Sequence, residues 1–267
     1  TTLKTNNMKK KLKDVGHTPT TQILGLSGKQ NPTGRPKSNK AKTKLQKQSR
    51  RIKTNNMKIR SSALGKIMTN PRKKTDTLSA GCKTYIKELV KEDLFMYRST
   101  IDSKYLTKGI DLEDTSIDLY NEVHGTLYLK NTERLYNEFI TGECDINTDD
   151  KIIDIKTSWS LETFPAAPSD INNKDYEWQL RGYMYLYDKP KAELAYCMVN
   201  TPDYLLKEWD NLDIHKVDKW DATLRVTTIS FERDEEKEHL IKERVIECGK
   251  FYNEYRDSIL NKQPILQ

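Results

Sequence analysis

Gly142-Glu143-Cys144-Asp145-Ile146-Asn147-Thr148-Asp149-Asp150-Lys151-Ile152-Ile153-Asp154-Ile155-Lys156-Thr157 is the stretch that decides the fold. Both ends are β-prone and the middle is a polar Asn/Asp run, so it reads as two strands, Gly142 to Ile146 and Ile152 to Thr157, joined by a turn. Strand side chains alternate, which sends Ile153 and Ile155 to one face and Ile152, Asp154 and Lys156 to the other. A hairpin brings Asp145 round to meet Asp154 and Lys156. Two carboxylates that converge on one spot repel unless a divalent cation lies between them. An ammonium beside that cation can position or deprotonate a water.

Asp-x-Lys by itself usually marks a solvated strand face, so the weight rests on what accompanies it. Upstream, Lys108-Gly109-Ile110-Asp111-Leu112-Glu113 places a glycine four residues before a glutamate in a helical pattern. Downstream, Trp178-Gln179-Leu180-Arg181-Gly182-Tyr183 puts Gln179 and Tyr183 one turn apart on one helix face. Taken singly, each has a plainer reading. Glu113 sits among Asp111, Asp114 and Asp118 as a surface charge would. Tyr183 falls in the apolar stripe Tyr176, Leu180, Tyr183, Tyr187. Ser61 and Ser62 stand where helix caps stand.

Taken in order, Gly-xxx-Glu, Asp, Asp-x-Lys and Gln-xxx-Tyr resemble the PD-(D/E)XK nuclease superfamily, and more narrowly its lambda-exonuclease, YqaJ-like viral recombinase branch. The resemblance runs from about Ile59 to the C-terminus. It opens on Arg60-Ser61-Ser62-Ala63-Leu64-Gly65-Lys66-Ile67-Met68 and closes on the strand-like run Thr227 to Phe231 and a charged helix. It implies an α/β fold of restriction-endonuclease type, with a mixed central sheet flanked by helices. It also implies dependence on Mg²⁺ or Mn²⁺, and exonucleolytic digestion of linear double-stranded DNA from the 5′ end. By the same resemblance Asp145, Asp154 and the Ile155 carbonyl are metal ligands, completed by Glu113. Lys156 handles the nucleophilic water, and Gln179 and Tyr183 orient Lys156 or the scissile phosphate. Ser62 matches a serine that holds the terminal phosphate, with Ser61 and Arg60 beside it. Cys144 stands where the motif often has proline. The family further implies phage-type recombination, a single-strand annealing protein as partner and a homotrimeric ring around DNA. An endonuclease on the same core, of restriction or junction-resolving kind, and a non-catalytic DNA-binding scaffold are the alternatives.

Charge divides the chain. Residues 1–60 hold 17 Lys and Arg against one acidic residue, Asp14, a net +16. The whole chain carries +7, which leaves −9 for residues 61–267. The basic pI therefore belongs to the N-terminal segment, which is poor in aromatics and unable to bury enough apolar surface to fold alone. The expected division is a disordered basic tail, 1–56, and a nuclease-like domain, 57–267. The hexapeptide Lys4–Lys9 recurs unchanged at Lys53–Lys58, which suggests a duplicated start region with Met57 as an alternative start. Cys82, Cys144, Cys197 and Cys248 are too far apart for a structural zinc site, and their pattern suits reduced thiols in a cytoplasm. No run is long and apolar enough for a membrane span.

The rest of the pattern predicts helices over Ser61–Met68, Ser79–Tyr97, Asp102–Glu122, Asn173–Tyr187, Asp203–Trp220 and Arg233–Leu260. Strands are expected over Gly125–Lys130, Glu193–Asn200 and Arg225–Phe231, with a proline-broken loop over Phe164–Pro168.

Overall fold

A computed structural model of the chain describes residues 57–100 and 102–262; the basic stretch 1–56, with the tail expected there, lies outside the described residues. The short strand β1 (Ile59–Arg60) passes through a 3₁₀ turn (Ser61–Ala63) into α1 (Leu64–Ile67). Three helices follow: α2 (Ala80–Phe95), α3 (Lys104–Asp111) and α4 (Glu113–His124). Then come β2 (Leu135–Tyr136), β3 (Ile140–Gly142), β4 (Ile146–Asn147) and β5 (Lys151–Thr157). The chain closes with α5 (Lys174–Tyr187), β6 (Lys191–Cys197), β7 (Val226–Glu232) and α6 (Glu235–Leu260). Side-chain caps start three of the helices: Ser79 accepts the Cys82 N–H, Asn173 the Asp175 N–H and Asp234 the Lys237 N–H.

The main sheet has the order β4-β5-β6-β7, with β5 and β6 parallel from Lys151↔Lys191 to Thr157↔Cys197 and the outer pairings antiparallel. Parallel neighbours need a long crossover, and α5 supplies it. A smaller sheet, β1-β3-β2, pairs Ile59 with Ile140 and Leu135 with Gly142. The alternation read from the sequence holds. Ile153 and Ile155 pack with Ile117 and Tyr120 of α4, while Ile152 packs on the other face with Leu180, Tyr183 and Met184 of α5. Burying each of these isoleucines contributes about 1.5–3 kcal/mol, so a one-residue slip of β5 would forfeit several such contributions at once. A third cluster joins α1, α2 and α6 around Ile59, Ile67, Ile86 and Val245. Among the described residues no helix is long and apolar enough to cross a membrane.

Four expectations are corrected. Gly142 to Ile146 is not one strand: Gly142 ends β3 in the small sheet and Ile146 begins β4 in the large one. The main chain between them is claimed by Asn131, whose N–H donates to the Asp145 carbonyl at 2.7 Å and whose side-chain amide donates to the Cys144 carbonyl at 2.9 Å. Gly125 to Lys130 is not a ladder strand, because the Asn121 side chain accepts the Tyr128 N–H (3.0 Å) and donates to the Tyr128 carbonyl (2.9 Å). Asp203 to Trp220 holds only short 3₁₀ turns, Asp203–Leu205 and Leu212–Ile214. There Asp210 accepts the Lys207 N–H and Asn211 the Asp213 N–H, local bonds that compete with a helix, while the more distant Asn200 accepts the Val217 N–H. Asp102 to Glu122 bends at Leu112 into two helices, so Glu113 is the first residue of α4.

Candidate active site

The strand pairing sets the site. Ile146 opposes Ile153, so Asp145, just before β4, lies across from Asp154. The Asp145 Oδ2 accepts the Ile155 N–H at 2.6 Å, and a side chain thus extends the pairing that β4 begins. Asp154 is almost wholly buried, and its two oxygens have different surroundings. Oδ1 accepts from Gln179 Nε2 at 3.0 Å. Oδ2 lies 2.5 Å from Lys156 Nζ as an ion pair, and no other donor reaches it. The second Gln179 amide hydrogen goes to the Tyr183 hydroxyl, also at 3.0 Å. Lys156 is flanked on its other side by the Tyr176 ring, 4.7 Å from Nζ to the centroid.

Burial pushes the Asp145 carboxyl up to about 8, and the Asp154 charge pushes it further the same way; Lys156 and the Ile155 N–H pull against them, and Glu113 adds a smaller upward push. Burial works against the Lys156 charge as well, but the Asp154 and Asp145 carboxylates outweigh it and hold the ammonium above the usual lysine range. Burial, then the Asp154 charge, keeps the Tyr183 phenol protonated.

Glu113 is near enough to act on Asp145 yet is turned to Lys130, 3.2 Å from Oε1 to Nζ. Among the described residues no three carboxylate, histidine or cysteine groups are gathered closely enough to hold a metal ion as they stand. The donor set nonetheless suits a hard cation. An Asp145 carboxyl whose proton affinity is raised by burial and by the Asp154 charge, beside a buried Asp154 Oδ2 whose one charged neighbour is Lys156, is what a divalent ion would relieve.

Of the opening stretch, Arg60 and Ser62 are exposed. Ser61 is buried and donates to the Thr141 carbonyl at 3.4 Å, so it packs rather than faces solvent. Gly142 is required here, since an added Cβ would lie 2.6 Å from Ser61 Oγ and 2.7 Å from Tyr183 Cε1. The structure thus gathers Asp145, Asp154, Ile155, Lys156, Gln179 and Tyr183 into one site, places Glu113 at its margin, and leaves Arg60 and Ser62 at the surface. Three participants had no signal in the sequence: Asn131, which holds the Asp145 main chain, Lys130, which holds Glu113, and Lys108, buried at the end of β5.

Fold and site together define a nuclease core of the PD-(D/E)XK type. The structure is similar to that of a phage-related exonuclease from Haemophilus somnus 129PT, with 34% identity, 78% of this chain and 98% of that one covered, and a TM-score of 0.73. An alkaline exonuclease from Laribacter hongkongensis shares the fold at 15% identity, covering 76% of this chain and 91% of that one with a TM-score of 0.57. The same enzyme in complex with dAMP gives 16% identity and a TM-score of 0.53, over 76% of this chain and 90% of that one. No protein-family model and no curated protein matches the chain. The chain belongs to the phage-related, lambda-exonuclease-like (YqaJ-like) nuclease family.

Proposed function

We propose that this chain is a Mg²⁺-dependent DNA exonuclease, with Mn²⁺ able to substitute, that hydrolyses linear double-stranded DNA from the 5′ end in phage-type recombination. The observation that carries this is the convergence of Asp145, Asp154 and Lys156 on one spot, with Gln179 fixing Asp154 from behind. Asp145, Asp154 and the Ile155 carbonyl would hold the cation, with Glu113 joining once it leaves Lys130. When bound, the cation would lower the pKa of a water and neutralise charge on the phosphate. The chain's own residues do the rest. Gln179 spends both amide hydrogens on Asp154 and Tyr183, so Oδ1 is fixed and Oδ2 stays turned towards the site. Lys156, kept charged, can donate to the attacking water or to a phosphate oxygen. The Tyr183 phenol, kept protonated, anchors Gln179 in turn. Ser62 and Arg60, both exposed, are suited to a terminal phosphate. A homotrimeric ring and an annealing protein as partner belong to the same reading.

The test is a 5′-end-labelled linear duplex beside a closed circle of the same sequence, each with Mg²⁺. Loss of the linear form alone, abolished in Lys156→Ala, supports the reading. Nicking or linearisation of the circle would favour an endonuclease on this core, and unchanged digestion by Lys156→Ala would overturn the assigned chemistry.

A further inference from the structure

Lys108 is the one buried lysine in the described structure, at 0% exposure, and no carboxylate offsets its charge. Its Nζ instead donates to three main-chain carbonyls, Ser158 at 2.7 Å, Trp159 at 3.0 Å and Val199 at 3.0 Å. Those carbonyls lie just past the ends of β5 and β6, beyond Lys156 on one strand and Cys197 on the other. Burial pushes the Lys108 ammonium down to about 8, so the position is costly for a lysine that serves packing alone. A methionine or leucine would fill the space without that cost.

The placement of Lys108 along the chain gives it a purpose. It stands five residues before Glu113, and Ser116 stands three after it. Ser116 Oγ bonds Thr157 Oγ1 at 2.8 Å, so a second polar tie lands on the residue immediately before Ser158. The two ties flank Glu113 on its own side and meet at one strand end on the other. The helices α3 and α4 are therefore fixed to the C-terminal end of β5, just past Lys156. Ties between side chains and backbone of this kind set a neighbouring ligand's position without touching the ligand.

We propose that Lys108, with Ser116, is a positioning residue for Glu113: its three carbonyl bonds hold the α3–α4 turn at the height on β5 where Glu113 can join Asp145 and Asp154 around a cation. This rests on the proposed metal-dependent function. The test is Mn²⁺ binding to the full chain by calorimetry, without DNA, for the parent protein, Lys108→Met, Glu113→Gln and the double variant. If Lys108 acts through Glu113, Lys108→Met weakens Mn²⁺ binding by about 10–100-fold in the parent but by less than about threefold in the Glu113→Gln background. On linear DNA, kcat falls with KM for DNA unchanged. Equal weakening in both backgrounds, or none in the parent, would overturn the proposal. Should Lys108→Met fail to fold, Ser116→Ala is put through the same cycle and carries the decision, with a loss of Mn²⁺ affinity that vanishes in Glu113→Gln as the supporting result. A parent protein that binds no Mn²⁺ and cuts no DNA would instead refute the functional reading itself.

Discussion

Replacing Asp145 by asparagine should make the metal-free protein more stable while it destroys cleavage. Burial and the Asp154 charge raise the Asp145 carboxyl from 3.8 to about 8 in the folded chain. A folded-state pKa above the unfolded one means stability that is complete below about pH 4 and is lost as pH rises towards about 8. At pH 7 some three units of the shift are expressed, an upper limit of ~4 kcal/mol at ~1.36 kcal/mol per unit. Partial exposure of Asp145 to solvent, which screens these charges, reduces this to about 2 kcal/mol. Asparagine keeps an oxygen for the Ile155 N–H and carries no charge, so the variant should gain that amount, roughly 4–8 °C in Tm for a domain of this size. The assay is thermal unfolding in a chelator from pH 4 to pH 8.5, parent and variant side by side. The two curves should converge at acid pH and separate as pH rises. Saturating Mg²⁺ should narrow or reverse the gap, because the parent alone gains binding energy. Parallel curves across the range, or a variant less stable at pH 8, would refute the account of two mutually repelling carboxylates.

Other outcomes follow from the same geometry. Lys130→Ala releases Glu113 from a partly exposed pair worth ~0–1 kcal/mol, so half-maximal cleavage should need up to about fivefold less Mg²⁺; a higher requirement would count against Glu113 as a ligand. Tyr120→Phe takes the 2.6 Å donor from the buried Glu193, leaving Lys151 as its main partner. Urea unfolding should show a loss of about 1–3 kcal/mol with DNA cleavage retained. Removing residues 1–56 should flatten the salt dependence of DNA binding, since even six phosphate contacts amount to about a thousandfold in affinity between 50 and 200 mM salt. Metal-dependent cleavage should persist in that truncated chain, and its complete loss would contradict a separate basic tether.

The parts of the fold that could be read directly were those with a strong period. The β5 alternation and the α5 stripe placed Asp154, Lys156, Gln179 and Tyr183 on one face, and the structure keeps them there. Three of the misread stretches share one physical cause: polar side chains bonding to nearby or distant main chain, which leaves no periodic trace. Asn121 serves as a strand partner for Tyr128, so Leu127 and Leu129 look like a strand's outward residues yet belong to no ladder. Asp210, Asn211 and Asn200 replace helical bonds between 203 and 220 one at a time. Asn131 splits what reads as one strand into the ends of two sheets. Lys108 was passed over because a lysine in a helical pattern is nearly always solvated; only its three distant acceptors show otherwise. Glu113 was read inside one long helix, whereas it opens the second of two, and its pairing with Lys130 depends on a loop that the pattern misassigned.

The crowding at Gly142 has a bearing on how variants of this protein would be interpreted. A single methyl group there would press on Tyr183, whose hydroxyl anchors Gln179, whose amide fixes Asp154. A Gly142→Ala chain would therefore lose activity while every metal ligand and Lys156 remained intact. A screen scoring only the charged residues would pass it as harmless. Position 142 marks the outer limit of the active site as selection would perceive it, drawn by contact rather than by chemistry.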